Sequence, residues 1–294
     1  MNLSKLLQVE AVVGQHASEE STALQLHWWQ LPNVLSLDAV TIAISWYALI
    51  ALSLGQHVAW GNFAVLGLST WLVYVADHWL DAARSASGQW QPVRHSVFMR
   101  ERKGWLCLWL AVLALDVLLA LEFVDHAFWR RGAGLTLIVL LYIGGVHAMH
   151  WRLPKDWIVS AVFAASPFIM LHTFPMPDLC MLSLFTGFWL VVAANCLLLN
   201  QWEADAGGTS NASSRGQWCT TSVLALITSI CLLVFGGSSY LSSAMALLLS
   251  AFAVPIVAIS SSKLKLPYEL RHPLLDYAFG FAVVLPLLGV LCCR

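Results

Sequence analysis

Residues 179–205 read LCMLSLFTGFWLVVAANCLLLNQWEAD, with no charged side chain before Glu203. A helix rises 1.5 Å per residue, so about 20 apolar residues cross roughly 30 Å of hydrocarbon. Lipid offers the backbone no hydrogen-bond partner, and such a run must satisfy its own amides as a helix. Eight further windows of this kind fall near 35–55, 60–80, 104–124, 133–150, 157–174, 217–236, 241–260 and 274–293. Together with 179–199 they predict an all-α, polytopic transmembrane helical bundle of about nine spans. The period-two alternation of a membrane barrel is absent.

The composition supports this reading. Hydrophobic residues make up 59% of the chain and charged residues 11%, against roughly a quarter charged in soluble domains. The 294 residues therefore divide into spans, with an interfacial segment over 1–30 and the bundle over 31–294. In the first segment Leu3, Leu6, Leu7, Val9 and Val12 suggest a weakly amphipathic helix, with a disordered tail over 1–20 as an equal alternative. Trp28 and Trp29 mark the membrane interface. A net charge of -1 and the lack of a basic arm exclude nucleic acid as a partner. The seven cysteines have neither disulfide-framework nor zinc spacing and read as small apolar residues.

Orientation follows from the basic side chains. With the N-terminus cytoplasmic, twelve of the fifteen fall inside: Lys5, Arg84, Arg94, Arg100, Arg102, Lys103, Arg152, Lys155, Arg215, Lys263, Lys265 and Arg271. Only Arg130, Arg131 and Arg294 fall outside, the asymmetry of the positive-inside rule. The expected setting is a multi-pass protein of the cell inner membrane. The inner connections also hold most of the polar chemistry, so that face is where function is expected.

Two acidic helix ends arrive there. The second span closes with Tyr74-Val-Ala-Asp77-His78-Trp79-Leu80-Asp81-Ala-Ala-Arg84. Asp77 and Asp81 stand one turn apart on one helical face, where two like charges repel unless a cation lies between them. A hard divalent ion such as Mg²⁺ suits oxygen ligands and joins carboxylates to phosphates. The bland alternative is a solvated helix end. The sixth span closes with Asn195-Cys-Leu-Leu-Leu-Asn200-Gln201-Trp202-Glu203-Ala204-Asp205, which brings a second acidic group to the same side. Basic residues around both would suit a diphosphate, although orientation and contact with anionic lipid also account for them.

This pattern resembles the UbiA superfamily of intramembrane prenyltransferases. Its first motif, N-x-x-D-x-x-x-D, is matched at Asp77 and Asp81, with Tyr74 in place of the asparagine. Its second, D-x-x-x-D, is matched at Asp205, with Gln201 in place of the first aspartate. Tyr142 and Lys155 resemble a tyrosine and a lysine that members carry around the fourth-to-fifth connection. The resemblance implies Mg²⁺ held by Asp77, Asp81, Asp205 and Glu203, with Tyr142 among the catalytic groups. It also implies a polyprenyl diphosphate steadied by Arg84, Arg94, Arg152, Lys155, Asn200 and Gln201. The prenyl group would pass to a hydrophobic, commonly aromatic, acceptor in the lipid. The substituted motif positions leave a second expectation open, a non-catalytic lipid-binding or assembly subunit of a membrane complex.

Other polar residues have two readings each. Asp116 in the third span is a functional candidate by its depth, or a carboxyl bonded to a neighbouring hydroxyl. Asp38 and Asp276 lie near the cytoplasmic starts of the first and ninth spans; both could border the site, but capping is the favoured role. His78, His147 and His150 lack the spacing of a haem pair. Nine spans require opposite sides for the two termini. A fluorescent protein that matures only in the cytoplasm is therefore expected to glow when fused to the N-terminus and to stay dark at the C-terminus; the reverse would overturn the orientation.

Overall fold

A computed structural model describes residues 8–10, 23–25, 30–84, 102–145, 155–171, 179–207, 217–235 and 240–292. Every one of the nine apolar windows is occupied by a helix. In chain order these are α2 (Leu37–Ser53), α3 (Trp60–Arg84), α4 (Arg102–Phe123), α5 (His126–Ile143), α6 (Lys155–Ile169), α7 (Leu179–Ala206), α8 (Gln217–Phe235), α9 (Leu241–Lys263) and α10 (Tyr268–Cys292). A short helix α1 (Leu31–Val34), with a proline in its first turn, precedes them. Among the described residues, five helical segments are long and apolar enough to cross a membrane: Trp60–Ala83, Arg102–Phe123, Leu179–Ala206, Gln217–Phe235 and Leu270–Cys292.

The N-terminal segment departs from expectation. β1 (Gln8–Glu10) pairs antiparallel with β2 (Ala23–Gln25), Val9 opposite Leu24. An amphipathic helix through Val9 is therefore not what this stretch forms; apolar and polar residues alternate at Gln8, Val9 and Glu10, a period of two. The fourth helix also starts earlier than its window, at His126. Arg130 and Arg131 thus lie on α5 itself. Arg131 Nη1 donates to the Leu171 carbonyl at 3.0 Å, and its guanidinium stands 4.7 Å from the centre of the Phe128 ring.

Helix α2 is the hub. Ala43, Trp46, Leu49 and Ile50 have no exposed surface, and α3, α6, α9 and α10 pack around them. A helix apolar all round belongs in an interior. The sixth-span helix α7 reaches it through Trp46 and Phe188, whose ring centroids lie 4.2 Å apart. Helix α8 fills the space between α7 and α9, while α4 packs on α3 and α5 on α6. In lipid such contacts hold by close packing, because hydrocarbon tails are as apolar as leucine. Polar side chains are bonded locally: Thr221, Ser222 and Ser229 of α8 each donate to the carbonyl four residues back.

The exterior is apolar. Leu118 and Leu121 of α4, Leu140 and Leu141 of α5, Phe235 of α8 and Phe281 of α10 are exposed, a surface suited to acyl chains and unsuited to water. Asp116 is turned inward and accepts a hydrogen bond from Ser69 Oγ at 2.7 Å, the hydroxyl-bonded alternative of the two readings.

Helices α3 and α4 approach closely at Gly61, where a Cβ would stand 2.5 Å from Phe123 Cβ. Gly61→Ala is expected to destabilise the protein by about 1–3 kcal/mol through overpacking, read as a lower thermal midpoint in detergent. Gly132→Ala, with nothing within 4 Å of the added carbon, is the control that should leave the midpoint in place.

Candidate functional site

The acidic ends of α3 and α7 meet at one end of the bundle. On α3, Asp77 and Asp81 project toward the first residue of α6. Lys155 Nζ lies 3.1 Å from Asp77 Oδ2 and bonds Asp81 Oδ2 as well. The next residue, Asp156, accepts a hydrogen bond from Asn200 Nδ2 of α7 at 3.0 Å, and it feels both Asp81 and Glu203 electrostatically. Asp156 is thus the joint between the two acidic helix ends. Tyr142 on α5 is 8% exposed and feels Asp77, Lys155, Asp81 and Asp156 electrostatically. Its buried hydroxyl has no partner among the described residues. Together these side chains form one wall of the site.

A second wall comes from α1, α2, α7 and α10. Asn33 Nδ2 donates to Asp38 Oδ2 at 2.9 Å and to Asp276 Oδ2 at 3.1 Å. The Asp38 and Asp276 carboxyls thus share one amide donor, Asn33. His272, four residues before Asp276 on α10, places Nε2 3.4 Å from Glu203 Oε1. Asp38 also accepts the Ala39 amide at 2.8 Å, so its expected capping role is real but occupies one oxygen only. Ser36, in a left-handed conformation at φ 56°, turns its hydroxyl to His78 Nδ1 at 3.2 Å and links this wall to α3.

Between the walls stand Tyr74 and Cys196. Tyr74 feels Asp38 and Asp276 on one side and Asp77 on the other; Cys196 feels Asp156, Asp276, Lys155 and Asp77. Both are part-buried. From Tyr74, Phe163, Phe188 and Trp46 continue a ladder of aromatic contacts toward the bundle centre.

The residues anticipated from sequence are not all gathered here. Asp77, Asp81, Tyr142, Lys155 and Asn200 converge. Glu203 is turned to the second wall, and Asp205 is exposed at the end of α7. Gln201 accepts the Trp218 indole N–H at 3.0 Å and so ties α7 to α8. Arg84 ends α3, but its side chain, like Arg94 and Arg152, lies outside the described residues. His147 and His150 lie outside them too. Asn33, Asp156 and His272 were not anticipated. The spacing of His272 and Asp276, one helical turn apart at the start of a span, was the available signal for two of the second-wall groups.

No family model, curated protein or solved structure matches the chain.

Would Mg²⁺ suit the first wall? Two carboxylate oxygens already converge on one cationic centre, the Lys155 ammonium, and oxygen donors are what a hard divalent ion takes. Among the described residues no group of three or more metal ligands gathers, so phosphate and water would complete the shell, as is usual for this ion. The donor set fits one ion at Asp77 and Asp81. It does not extend to Glu203 or Asp205.

Burial pushes the Asp156 carboxyl up, against the Asn200 hydrogen bond and Lys155. Burial works against the charge on Lys155, but Asp77 and Asp81 reverse this and hold its pKa above the ordinary lysine value. The contribution of the pair to stability is thus complete below the unfolded lysine value of about 10.4 and is lost only as pH rises through the folded one. Lys155→Met is expected to cost about 1–2 kcal/mol, discounted because 35% of the side chain is exposed. Adding Asp81→Asn should recover part of it. A chemical-denaturation cycle in detergent would measure this coupling, and strictly additive losses would refute it.

Proposed function

We propose that this chain is a nine-span membrane prenyltransferase of the UbiA kind, its polar end cytoplasmic in the cell inner membrane. It would transfer a polyprenyl group from its diphosphate to a lipid-soluble acceptor with the help of Mg²⁺. The observation that carries the reading is the convergence of Asp77, Asp81 and Lys155 near the Tyr142 hydroxyl, which has no partner among the described residues. Five helices already meet the length and hydropathy of a span; the nine-span count adds α2, α5, α6 and α9, which occupy the remaining apolar windows.

Asp77 and Asp81 would hold the ion. Bound there, it supplies positive charge to the departing diphosphate. Lys155 places a permanent cation at the same point and would hold a phosphate oxygen by a charge-assisted hydrogen bond. The Tyr142 hydroxyl, buried and without a partner among the described residues, would be a donor in place before substrate arrives, the kind of preorganised dipole that stabilises developing charge. The allylic C–O bond breaks with its electron pair on the diphosphate. The allylic carbon then bonds the acceptor, whose displaced proton leaves with the diphosphate. The face of Tyr74 is available to the allylic cation, and the apolar exterior gives the prenyl chain access from lipid.

A second reading draws on different contacts. Lys155 satisfies both carboxylates, Gln201 is bonded to Trp218, and Asp205 is exposed. That arrangement suits a non-catalytic lipid-binding or assembly subunit. Binding separates the two. Geranylgeranyl diphosphate is expected to bind the purified protein in lipid nanodiscs with Mg²⁺ and to be lost with chelator. Asp77→Asn or Asp81→Asn should weaken binding on the order of tenfold or more, the worth of one charged hydrogen bond. Binding that ignores both Mg²⁺ and these substitutions would sink the enzyme reading.

A further inference from the structure

Helix α6 packs along α7 and only lightly on α3, yet its first residue supplies the cation that faces α3. Lys155 carries a compact charge on a flexible four-carbon stem. Where its ammonium stands therefore depends on where the start of α6 is fastened. Two side chains of α7 fasten it. Trp189 Nε1 donates to the Trp157 carbonyl at 3.2 Å and to Ser160 Oγ at 3.1 Å, with the Trp157 and Trp189 rings edge to face at 5.8 Å. Asn200, about three turns later on the same face of α7, donates through Nδ2 to Asp156 Oδ2 at 3.0 Å. This second contact stands one residue from Lys155. From here Lys155 Nζ reaches Asp77 Oδ2 at 3.1 Å and bonds Asp81 as well.

We infer that Asp156 and Asn200 are positioning residues for Lys155, and that Asn200 acts on a diphosphate through this relay rather than by touching it. The inference rests on the prenyltransferase reading for the diphosphate, but not for the placement of the lysine. The family resemblance gives Asn200 a place on the diphosphate itself. Its amide is instead given to a carboxyl group, and hydrogen bonds to charged groups are among the stronger ones, so turning it to an arriving phosphate carries a cost. Asn200 is uncharged and has no long-range hold on the Lys155 ammonium. Dependence of one on the other passes through Asp156 and the start of α6. Asp156 also lies in the first turn of its helix, where an acidic residue complements the dipole; that role alone gives Asn200 no part.

The test has one arm without ligand and one with it. In the first, Asn200→Ala, Lys155→Met and the double variant of the full chain are unfolded chemically in detergent. A relay makes their losses non-additive. The factor by which Lys155→Met raises the unfolding constant is expected to shrink at least about twofold once Asn200→Ala is present. Asp156→Ala should act as Asn200→Ala does, whereas Asp156→Asn keeps an oxygen for the Asn200 amide and should retain most of the coupling. In the second arm, geranylgeranyl diphosphate binding with Mg²⁺ is measured in lipid nanodiscs. Asn200→Ala is expected to weaken it about threefold to tenfold, and to change it less than about twofold in the Lys155→Met background. Additive losses in the first arm overturn the inference. Equal weakening in both lysine backgrounds does so too, because it marks direct contact between Asn200 and the diphosphate. If the diphosphate does not bind at all, the prenyltransferase reading fails, and the ligand-free arm still decides the placement of Lys155.

Discussion

The stacking of Trp46 on Phe188 joins the first apolar helix to the sixth at the centre of the bundle. Two large rings in contact fix the spacing and rotation of α2 and α7 together, because an indole in a packed interior has few ways to turn. With those axes set, the N-terminus of α2 and the C-terminus of α7 arrive at the same end. Helix α10 runs against α2 and α7, and α6 is held between α2 and α7. The polar residues at that end are neighbours because their helices share a core. The aromatic ladder through Phe163 to Tyr74 extends the same packing to the floor of the site.

Much of this was legible in the sequence, and the limits have physical causes. The spans could be read because lipid forces the backbone to bond within itself, which makes apolar length a direct signal. Asp77 and Asp81 could be read as a pair because i, i+4 spacing is a property of one helix. Partners on other helices depend on rotation, and a helix apolar all round hides which face is turned inward. That is why Gln201, alike in spacing to a motif position, faces Trp218, and why Asp205 is exposed while Asn200 bonds Asp156 of α6 and Glu203 turns to His272 of α10. Asp156 went unremarked beside Lys155, although neighbours on the first turn of α6 can face α3 and α7 at once. Asn33 belongs to a four-residue helix too short to announce itself by periodicity.

The two walls also differ in how their charge is compensated. The first uses a flexible lysine, a point charge on a long stem that can exchange one anion for another. Among the described residues the second uses a histidine and an amide, both on short side chains. A lysine between two carboxylates can stay near them while a phosphate oxygen approaches from the open side. Carboxyls held by a short amide and an imidazole cannot reorganise so cheaply, since moving them away leaves a buried charge without those partners.

This difference gives the two walls different roles within the proposed reaction. Substrate with several negative charges requires positive charge that can be redistributed as the bond breaks, and the first wall holds a mobile cation, Lys155. The second wall is built from short side chains on α1, α2, α7 and α10 and would frame the site without moving. Fixed dipoles spend no reorganisation energy when a group arrives. Tyr74 feels carboxylates of both walls, and beside it the adaptable wall and the rigid one would meet the allylic carbon.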